Sequence, residues 1–185
     1  MPERIHVLYL LIVGCEIAFW LVLLASLAAR YLLRRQALSR WLLLSLPVID
    51  LLLLVFTALD LKSGATATPA HGLAAVYVGF TVAFGSVAVR WADAHFAHRF
   101  AGGPPPAKAP SAGWQAVRHE IGLWLRCIVA WVIALALITA LIAWLGRTAA
   151  TQPLEAWYRY GLGCIFFWFL FGPVWSLVFF RRPAR

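Results

Sequence analysis

Five long apolar segments constrain what this chain can fold into. A helix that crosses a bilayer needs roughly 20 mostly apolar residues, and the five segments occupy residues 7–29, 41–61, 72–89, 123–145 and 157–180. Hydrophobic residues make up 63% of the 185-residue chain, and charged residues make up only 12%. A soluble protein of this size has too little interior to bury so much apolar surface. We therefore predict an all-α fold, a single polytopic transmembrane helical bundle over residues 1–185 with five spans.

Basic residues are distributed unequally between the two ends of these spans. One side carries Arg30, Arg34, Arg35, Arg40, Arg90, Arg99, Lys108, Arg118, Arg181, Arg182 and Arg185. The opposite side carries Arg4, Lys62, Arg147 and Arg159. Because Lys and Arg accumulate in cytoplasmic loops, the sequence predicts that the N-terminus lies outside and the C-terminus lies in the cytoplasm.

The net charge of +9 would suggest nucleic acid as a partner of a soluble protein. Here most arginines follow apolar segments, so the anionic headgroups of the cytoplasmic leaflet are the simpler partner. We expect the lipid bilayer as partner and no nucleic acid, with a homo-oligomer or a membrane-protein partner as open alternatives. The cysteines Cys15, Cys127 and Cys164 lie inside apolar segments without C-x-x-C spacing, which predicts small buried side chains rather than a zinc or redox motif.

Two carboxyl groups interrupt the apolar segments near their centres. Glu16 lies in the first segment and Asp50 in the second, and antiparallel spans would place both at similar depth. Charged groups in hydrocarbon are costly and usually face the bundle interior, and of two neighbouring carboxyls at least one is expected to hold its proton. This pattern suits a proton relay or a cation site. A protonated acid that only hydrogen-bonds a neighbouring helix is the alternative. Pro47 predicts a bend close to Asp50.

A second polar group lies at the predicted outer ends of the second and third segments. Asp60 and Lys62 close the second segment, and His71 opens the third after a short turn. Asp60 and His71 are therefore expected to meet. A His–carboxylate pair can act as a base or help to bind a metal. Because a third ligand is not obvious, we expect no metal and no cofactor, and we favour a structural pair that holds the turn.

A third polar group lies at the predicted cytoplasmic end of the third segment and contains Arg90, Trp91, Asp93, His95 and His98. Arg90 and Asp93 are three residues apart, which predicts an ion pair along the helix. His95 and His98 are expected to share a helix face. A helix end solvated among headgroups is one interpretation, and a site for a lipid phosphate or a protein partner is the other.

The long connection after the third segment has a distinct composition. Residues 101–113 read AGGPPPAKAPSAG, and three successive prolines favour extended backbone over helix. We predict a mobile cytoplasmic linker. Beyond it, Trp114, Val117 and Ile121 recur at helical spacing, which predicts a short interfacial helix before the fourth span.

Small residues form a stripe along the third segment. Gly72, Ala75, Gly79, Ala83 and Ser86 follow each other at steps of three and four, which places them on one helix face. Small faces let helix backbones approach closely in lipid. We therefore predict that the third span is the central packing helix.

Four stretches carry a resemblance to a known family: PVIDLLLL (47–54), ALDLKSGATAT (58–68), GATATPAHGLAAVYVG (64–79) and RWADAHFAHRFAGGPPP (90–106). Over these stretches the chain resembles the YmcC-like bacterial membrane proteins, and the likeness weakens after them. The resemblance implies a short multi-pass protein of the bacterial cytoplasmic (inner) membrane without a known activity. It directs attention to Asp50, Asp60, His71, Tyr77, Trp91 and Asp93, and Tyr77 joins the outer-end candidates on this ground.

Common catalytic signatures are absent from the sequence, including G-x-S-x-G, the P-loop and the dinucleotide fingerprint. We predict a non-enzymatic membrane component or partner-binding subunit, which requires a tight bundle without a cavity. One alternative is a small proton- or cation-linked transporter or channel component that uses Glu16 and Asp50. It requires a polar pocket at mid-depth between the first three spans. A membrane enzyme or haem protein that uses His71 or the cytoplasmic histidines is a second alternative.

Overall fold

The computed structural model describes residues 2–110 and 112–180, without the side chains of residues 2–9, 12, 16, 70, 100 and 101. Its α-helices are α1 (Pro2–Tyr31), α2 (Gln36–Lys62), α3 (Pro69–Ala101), α4 (Gly113–Leu145), α5 (Gln152–Phe169) and α6 (Trp175–Val178). A π-helical turn at Leu170–Val174 joins α5 to α6. The described residues contain no strand, so the predicted all-α fold is confirmed.

Five helical stretches are long and apolar enough to cross a membrane, which agrees with the predicted number of spans. They are Val13–Tyr31, Gln36–Lys62, His71–Arg99, Gly113–Leu145 and Gln152–Val178. The fifth stretch runs through α5, the π-helical turn and α6. Large apolar side chains are exposed along all five stretches, as expected where lipid replaces water around the protein.

Local chemistry sets the ends of α3. Thr68 is the N-cap in extended backbone, and Pro69 occupies the first turn, where its missing N–H leaves no helical bond unmade. The side chains of Thr68 and His71 form a reciprocal capping box. At the other end Gly102 has a φ of 65°, a left-handed conformation that favours glycine.

Both α3 and α4 are longer than the apolar segments that predicted them. α3 continues to Ala101, and α4 begins at Gly113 rather than at residue 123. Residues 114–121 are helical, as predicted, but they form the first turns of α4 and not a short helix of their own. Their position at the membrane interface stays a prediction. Gly122 marks the junction, and one glycine costs a helix only about 1 kcal/mol, which is too little to break it.

The connection between α3 and α4 has no regular secondary structure over residues 102–110. Three prolines in succession lack the N–H groups that a helix requires, so this agrees with the predicted linker. Its bounds are narrower by one residue at each end than the predicted 101–113. Its mobility stays a prediction.

The π-helical turn in the fifth span contains Pro173 and was not predicted. Proline donates no hydrogen bond, and its ring collides with the carbonyl one α-helical turn earlier. A turn widened by one residue relieves this collision. Pro47, in contrast, lies within regular α-helix on an exposed face of α2, and the bend predicted there stays a prediction.

α3 contacts every other long helix, α1, α2, α4 and α5, as predicted for the packing centre. Its small residues permit this closeness. A Cβ added to Gly79 would overlap the carbonyl oxygen of Ala130 in α4, and one added to Gly72 would overlap the indole of Trp157 in α5. Ser86, the last residue of the predicted small stripe, is exposed instead.

The bundle has two parts that meet at α3. Buried apolar clusters around Ile138 and around Cys127 hold α3, α4 and α5 together, and the cluster around Ile138 also includes Leu61 at the end of α2. In the part of the chain that the structure describes, α1 contacts α2 and α3 but not the later helices. The α1–α2 hairpin therefore docks mainly on one side of α3, and three cavities lie between this hairpin and α3.

Candidate functional site

Asp50 lies near the middle of α2 and is buried, with 3% of its surface exposed. The hydroxyl of Thr81, in α3, donates a hydrogen bond of 2.5 Å to Asp50 Oδ2. No other hydrogen bond or ion pair of this carboxyl is found in the described residues. One carboxyl oxygen is thus held by α3, while the other can bind a further donor or cation.

A cavity of about 120 Å³ opens beside Asp50 between the first three helices. Its walls are Cys15, Phe19 and Trp20 of α1, Ile49, Asp50 and Leu53 of α2, and Tyr77 and Thr81 of α3. A buried water molecule needs only about 10–15 Å³ of such space and at least two polar partners. The Asp50 carboxyl and the Thr81 hydroxyl supply polar atoms, so the cavity has room for several waters or for a small ion.

Tyr77 belongs to this cavity rather than to the outer-end group in which the sequence placed it. It lies six residues beyond His71, which is about 9 Å along the helix. That distance moves it from the end of the span toward mid-depth. Glu16 is part of α1, but its side chain lies outside the described residues, so the predicted similar depth of the Glu16 and Asp50 carboxyls stays a prediction.

At the far end of α2, Asp60 and His71 meet. His71 Nε2 lies 3.1 Å from Asp60 Oδ2, and both residues are buried. The backbone N–H of Thr68 donates a hydrogen bond to His71 Nδ1, with 3.0 Å between the two nitrogens. Because a backbone N–H can only donate, Nδ1 must accept, and the ring proton therefore lies on Nε2 and is donated to Asp60.

This network explains the pair as a structural device. His71 takes the place that Glu or Gln usually has in a capping box, and its second nitrogen ties the start of α3 to the end of α2. Both ring nitrogens are engaged, so neither is free to act as a base toward a ligand. Lys62 does not join this group, since its Nζ lies 4.8 Å from the ring centroid of Trp144 in α4.

The opposite end of the bundle is where α1 ends, α2 begins and α3 ends, and we call it the arginine end. Asp93 of α3 pairs there with Arg30 of α1, over 2.8 Å between Nη1 and Oδ2. The hydroxyl of Tyr31 lies 2.9 Å from Asp93 Oδ1. The predicted Arg90–Asp93 ion pair is wrong for the described structure, because the carboxylate faces α1 and not its own helix.

The remaining candidates at the arginine end have local roles. His95 Nδ1 donates to the carbonyl of Trp91 over 2.8 Å, and the two rings lie 4.1 Å apart. His98 Nδ1 donates to the carbonyl of Gly103 over 2.9 Å, beyond the helix end. The two histidines thus serve different backbone groups, and the structure does not bring them together as one site.

The chemistry open to the Asp50 cavity is limited by its groups. In the described part of the chain, no three His, Cys, Asp or Glu side chains converge in a way that could hold a metal ion. One carboxyl with a hydroxyl beside it can exchange a proton or bind a monovalent cation.

Sequence reasoning missed several of the residues that complete these sites. Thr81 and Trp20 line the Asp50 cavity, and Arg30 and Tyr31 bind Asp93. A hydroxyl on the same face as Tyr77, four residues later, was a readable signal for Thr81. The partner of Asp93 had no such signal, because it depends on how α1 docks on α3.

Comparison with known proteins gives one informative match. The chain is 40% identical over 146 residues to the "Uncharacterized membrane protein YmcC" of Bacillus subtilis (strain 168), and the match covers 78% of each chain. No protein-family model matches the chain. No solved structure matches it either.

Proposed function

Because the chain belongs to the family of the YmcC membrane protein, a membrane protein of uncharacterised activity, we propose its function from the geometry of the Asp50 cavity. It is a small proton- or cation-linked carrier or channel component. Asp50 is the group that binds the proton or cation. The observation that carries this proposal is a buried carboxyl that lines a mid-membrane cavity and has Thr81 as its one partner in the described structure.

The position of Asp50 supports this role. It lies 14 residues after the first residue of α2 and 12 before the last, which is about 20 Å from either end. An ionisable group at that depth is costly, and in membrane proteins such groups mark ion pathways and proton relays. A carboxyl that served only to join two helices would not need a cavity against it.

The cavity also bears on the first prediction, a partner-binding subunit. That hypothesis requires a tight bundle without a cavity, whereas the transporter hypothesis requires a polar pocket between the first three spans. The cavity between α1, α2 and α3 therefore favours the transporter hypothesis. The exposed Pro-rich connection between α3 and α4 keeps a docking role for a soluble partner compatible with it.

We infer that the arginine end faces the cytoplasm, with the N-terminus outside, in a bacterial inner membrane. The arginines between α1 and α2 and those at the end of α3 all lie on this side of the five spans. The positive-inside rule supports that direction. The buried Asp60–His71 pair then lies at the outer end of the bundle, and the Asp50 cavity lies between that end and the arginine end.

The proposal is tested with the full chain in liposomes that contain a trapped pH-sensitive dye, under an imposed potassium diffusion potential. We expect wild-type vesicles to take up protons faster than protein-free vesicles. Asp50→Asn should return the rate to that of protein-free vesicles, because an amide cannot exchange a proton in this range, and Asp50→Glu should restore part of it. The same vesicles with a sodium gradient test the cation version.

Thr81→Val and Thr139→Val are a matched pair of controls. Both remove a hydroxyl from a spanning helix, but Thr81 bonds Asp50 while Thr139 bonds Leu135 and Tyr158 away from the cavity. One hydrogen bond is worth roughly 1 kcal/mol, so we expect Thr81→Val to change the rate about fivefold and Thr139→Val to leave it unchanged. Proton and sodium fluxes in Asp50→Asn equal to those of the wild type would refute the proposal.

A further inference from the structure

A second cavity, of about 390 Å³, lies at the arginine end between α1, α2 and α3. Its polar wall consists of Arg30, Gln36, Arg40, Ser86 and Arg90, and we call it the arginine cavity. The three arginines come from three different helices. The fold therefore brings them together, and no local sequence pattern predicts that they meet.

The charge of this cavity is not neutralised by the protein. Arg30 is held in place by Asp93, but Arg40 and Arg90 have no acidic partner in the described structure. Two guanidinium groups therefore present free N–H donors next to a third that is already fixed. Such a cluster matches a phosphate, which guanidinium groups bind through paired, charge-assisted hydrogen bonds.

An apolar groove of about 440 Å³ continues from the arginine cavity into the membrane. Leu43 and Val89 line both spaces, so they are contiguous. The groove wall is formed by apolar side chains that include Leu23, Leu27, Leu46, Phe80 and Phe84. At the end that lies farthest from the arginine cavity, the groove reaches Phe19, Tyr77 and Thr81, which also line the Asp50 cavity.

The length of the groove is informative. Along α3 it extends from Tyr77 to Val89, where it meets the arginine cavity, over about 18 Å at 1.5 Å per residue. One leaflet contributes roughly half of the 30 Å hydrocarbon core. This part of the groove can therefore hold an acyl chain that spans one leaflet, with the chain's polar end at the arginines. Beyond the arginine cavity the groove continues to Phe96.

We propose that the arginine cavity and this groove together bind one anionic phospholipid. Its phosphate lies among Arg30, Arg40 and Arg90, and one of its acyl chains lies in the groove between the α1–α2 hairpin and α3. An extended peptide is a poor occupant, because its backbone would lose hydrogen bonds in so apolar a groove. A free phosphate would use the arginines but not the groove. This inference does not depend on the role proposed for Asp50.

The first test measures lipid binding to the purified full chain by native mass spectrometry in a mild detergent, with phosphatidylglycerol and phosphatidylcholine as probes. We expect the wild type to retain one phosphatidylglycerol in preference to phosphatidylcholine. The double variant R40Q/R90Q should bind phosphatidylglycerol at least about tenfold more weakly, since each charged hydrogen bond contributes enough for such a factor. The double variant R99Q/R118Q is the control.

The control removes the same charge from the same end of the bundle. Arg99 and Arg118 are exposed and do not line the arginine cavity. Its affinity for phosphatidylglycerol should stay within about twofold of the wild type, which is within the effect of a screened surface charge. Equal losses in both double variants would show a general charge effect and overturn the proposal.

The second test blocks the groove and leaves the arginines intact. Gly85 lines the groove, and a Cβ there would meet only Thr81 Cγ2 at 4.0 Å, so Gly85→Leu adds a side chain without a backbone clash. We expect it to weaken phosphatidylglycerol binding about tenfold, because the isobutyl group occupies space that the acyl chain needs. Gly163→Leu, at an equally open position in α5, should have no effect.

Competition with inorganic phosphate distinguishes a phospholipid headgroup from a free phosphate as the ligand of the arginines. If a free anion is the true ligand, inorganic phosphate will displace phosphatidylglycerol completely and Gly85→Leu will bind the lipid as the wild type does. Either of these results overturns the proposal. Equal retention of phosphatidylcholine and phosphatidylglycerol by the wild type overturns it as well. Size-exclusion profiles identical to the wild type establish that each variant is folded.

Discussion

At the scale of single residues, His71 shows how a side chain that looks catalytic can be structural. It accepts a hydrogen bond from the backbone of Thr68 and donates one to Asp60. The second oxygen of that carboxyl, Oδ1, is buried without a hydrogen-bond partner in the described residues. The hydrogen bond from the imidazole is therefore the main interaction that offsets the desolvation of the Asp60 carboxyl.

We expect His71→Ala to lower the free energy of unfolding by about 1.5–3 kcal/mol, because it leaves the buried Asp60 carboxyl without its donor. His71→Gln should cost less than about 1 kcal/mol, since Gln is a usual capping-box residue and also carries a donor. Denaturant unfolding in micelles, followed by circular dichroism, measures both. Equal losses in the two variants would contradict this account of the pair.

Side-chain partners were predictable only where they lie close in sequence. The meeting of Asp60 with His71 follows from a short turn that connects their helices. Asp93 is bound instead by Arg30 and Tyr31, more than 60 residues earlier. Such a contact requires the docking angle of α1 on α3, which the apolar pattern of a membrane helix leaves undetermined because most of its faces are apolar.

At the scale of helices, the close contact of α3 with α4 depends on Gly79, and Gly85 on the same helix provides a contrast. Gly79 faces the backbone of α4, where a Cβ would overlap the Ala130 carbonyl. Gly85, on the same helix, has open space beside it. Close backbone approach of this kind is a main source of helix association in lipid, where apolar burial itself provides little driving force.

We expect Gly79→Ala to destabilise the bundle by about 1–3 kcal/mol, because α3 and α4 must separate to admit the methyl group. Gly85→Ala should instead stabilise it, by up to about 1 kcal/mol, through the higher helix propensity of alanine. Thermal unfolding of both variants in the same detergent gives the comparison. A Gly79→Ala protein that melts at the wild-type temperature would show that the two helices are not closely packed there.

Element boundaries were less predictable than element number. Five apolar segments gave five long helices, because apolar length sets how many times a chain can cross. The extension of α3 to Ala101 and the early start of α4 at Gly113 escaped that criterion, because charged residues interrupt the apolar run there while the helix continues. In α4 the helical spacing of Trp114, Val117 and Ile121 did indicate helix, but not that it joins the span without a break. The π-helical turn around Pro173 depends on backbone geometry that a proline alone does not specify.

At the scale of the whole molecule, the direction of insertion is a prediction of its own. A green fluorescent protein fused after the C-terminal residue should fluoresce, and alkaline phosphatase at the same place should be inactive, because the arginine-rich side is expected to be cytoplasmic. Insertion of either reporter into the α2–α3 turn, after Gly64, should give the opposite results. An active phosphatase at the C-terminus would reverse the orientation.

The lengths of α3 and α4 also determine how far the protein extends beyond the hydrocarbon core. Each has 33 residues and is about 50 Å long, whereas a helix at the average tilt of about 20° needs roughly 32 Å to cross the hydrocarbon core. The ends of both helices next to the Pro-rich connection are packed, with Phe96 stacked on Tyr31 and Trp114 against Phe180. We expect these two helix ends to extend about 15 Å beyond the hydrocarbon core, which exceeds the headgroup layer of roughly 5–8 Å. We therefore expect the Pro-rich connection to stand above the membrane surface, where a soluble protein can reach it without touching lipid.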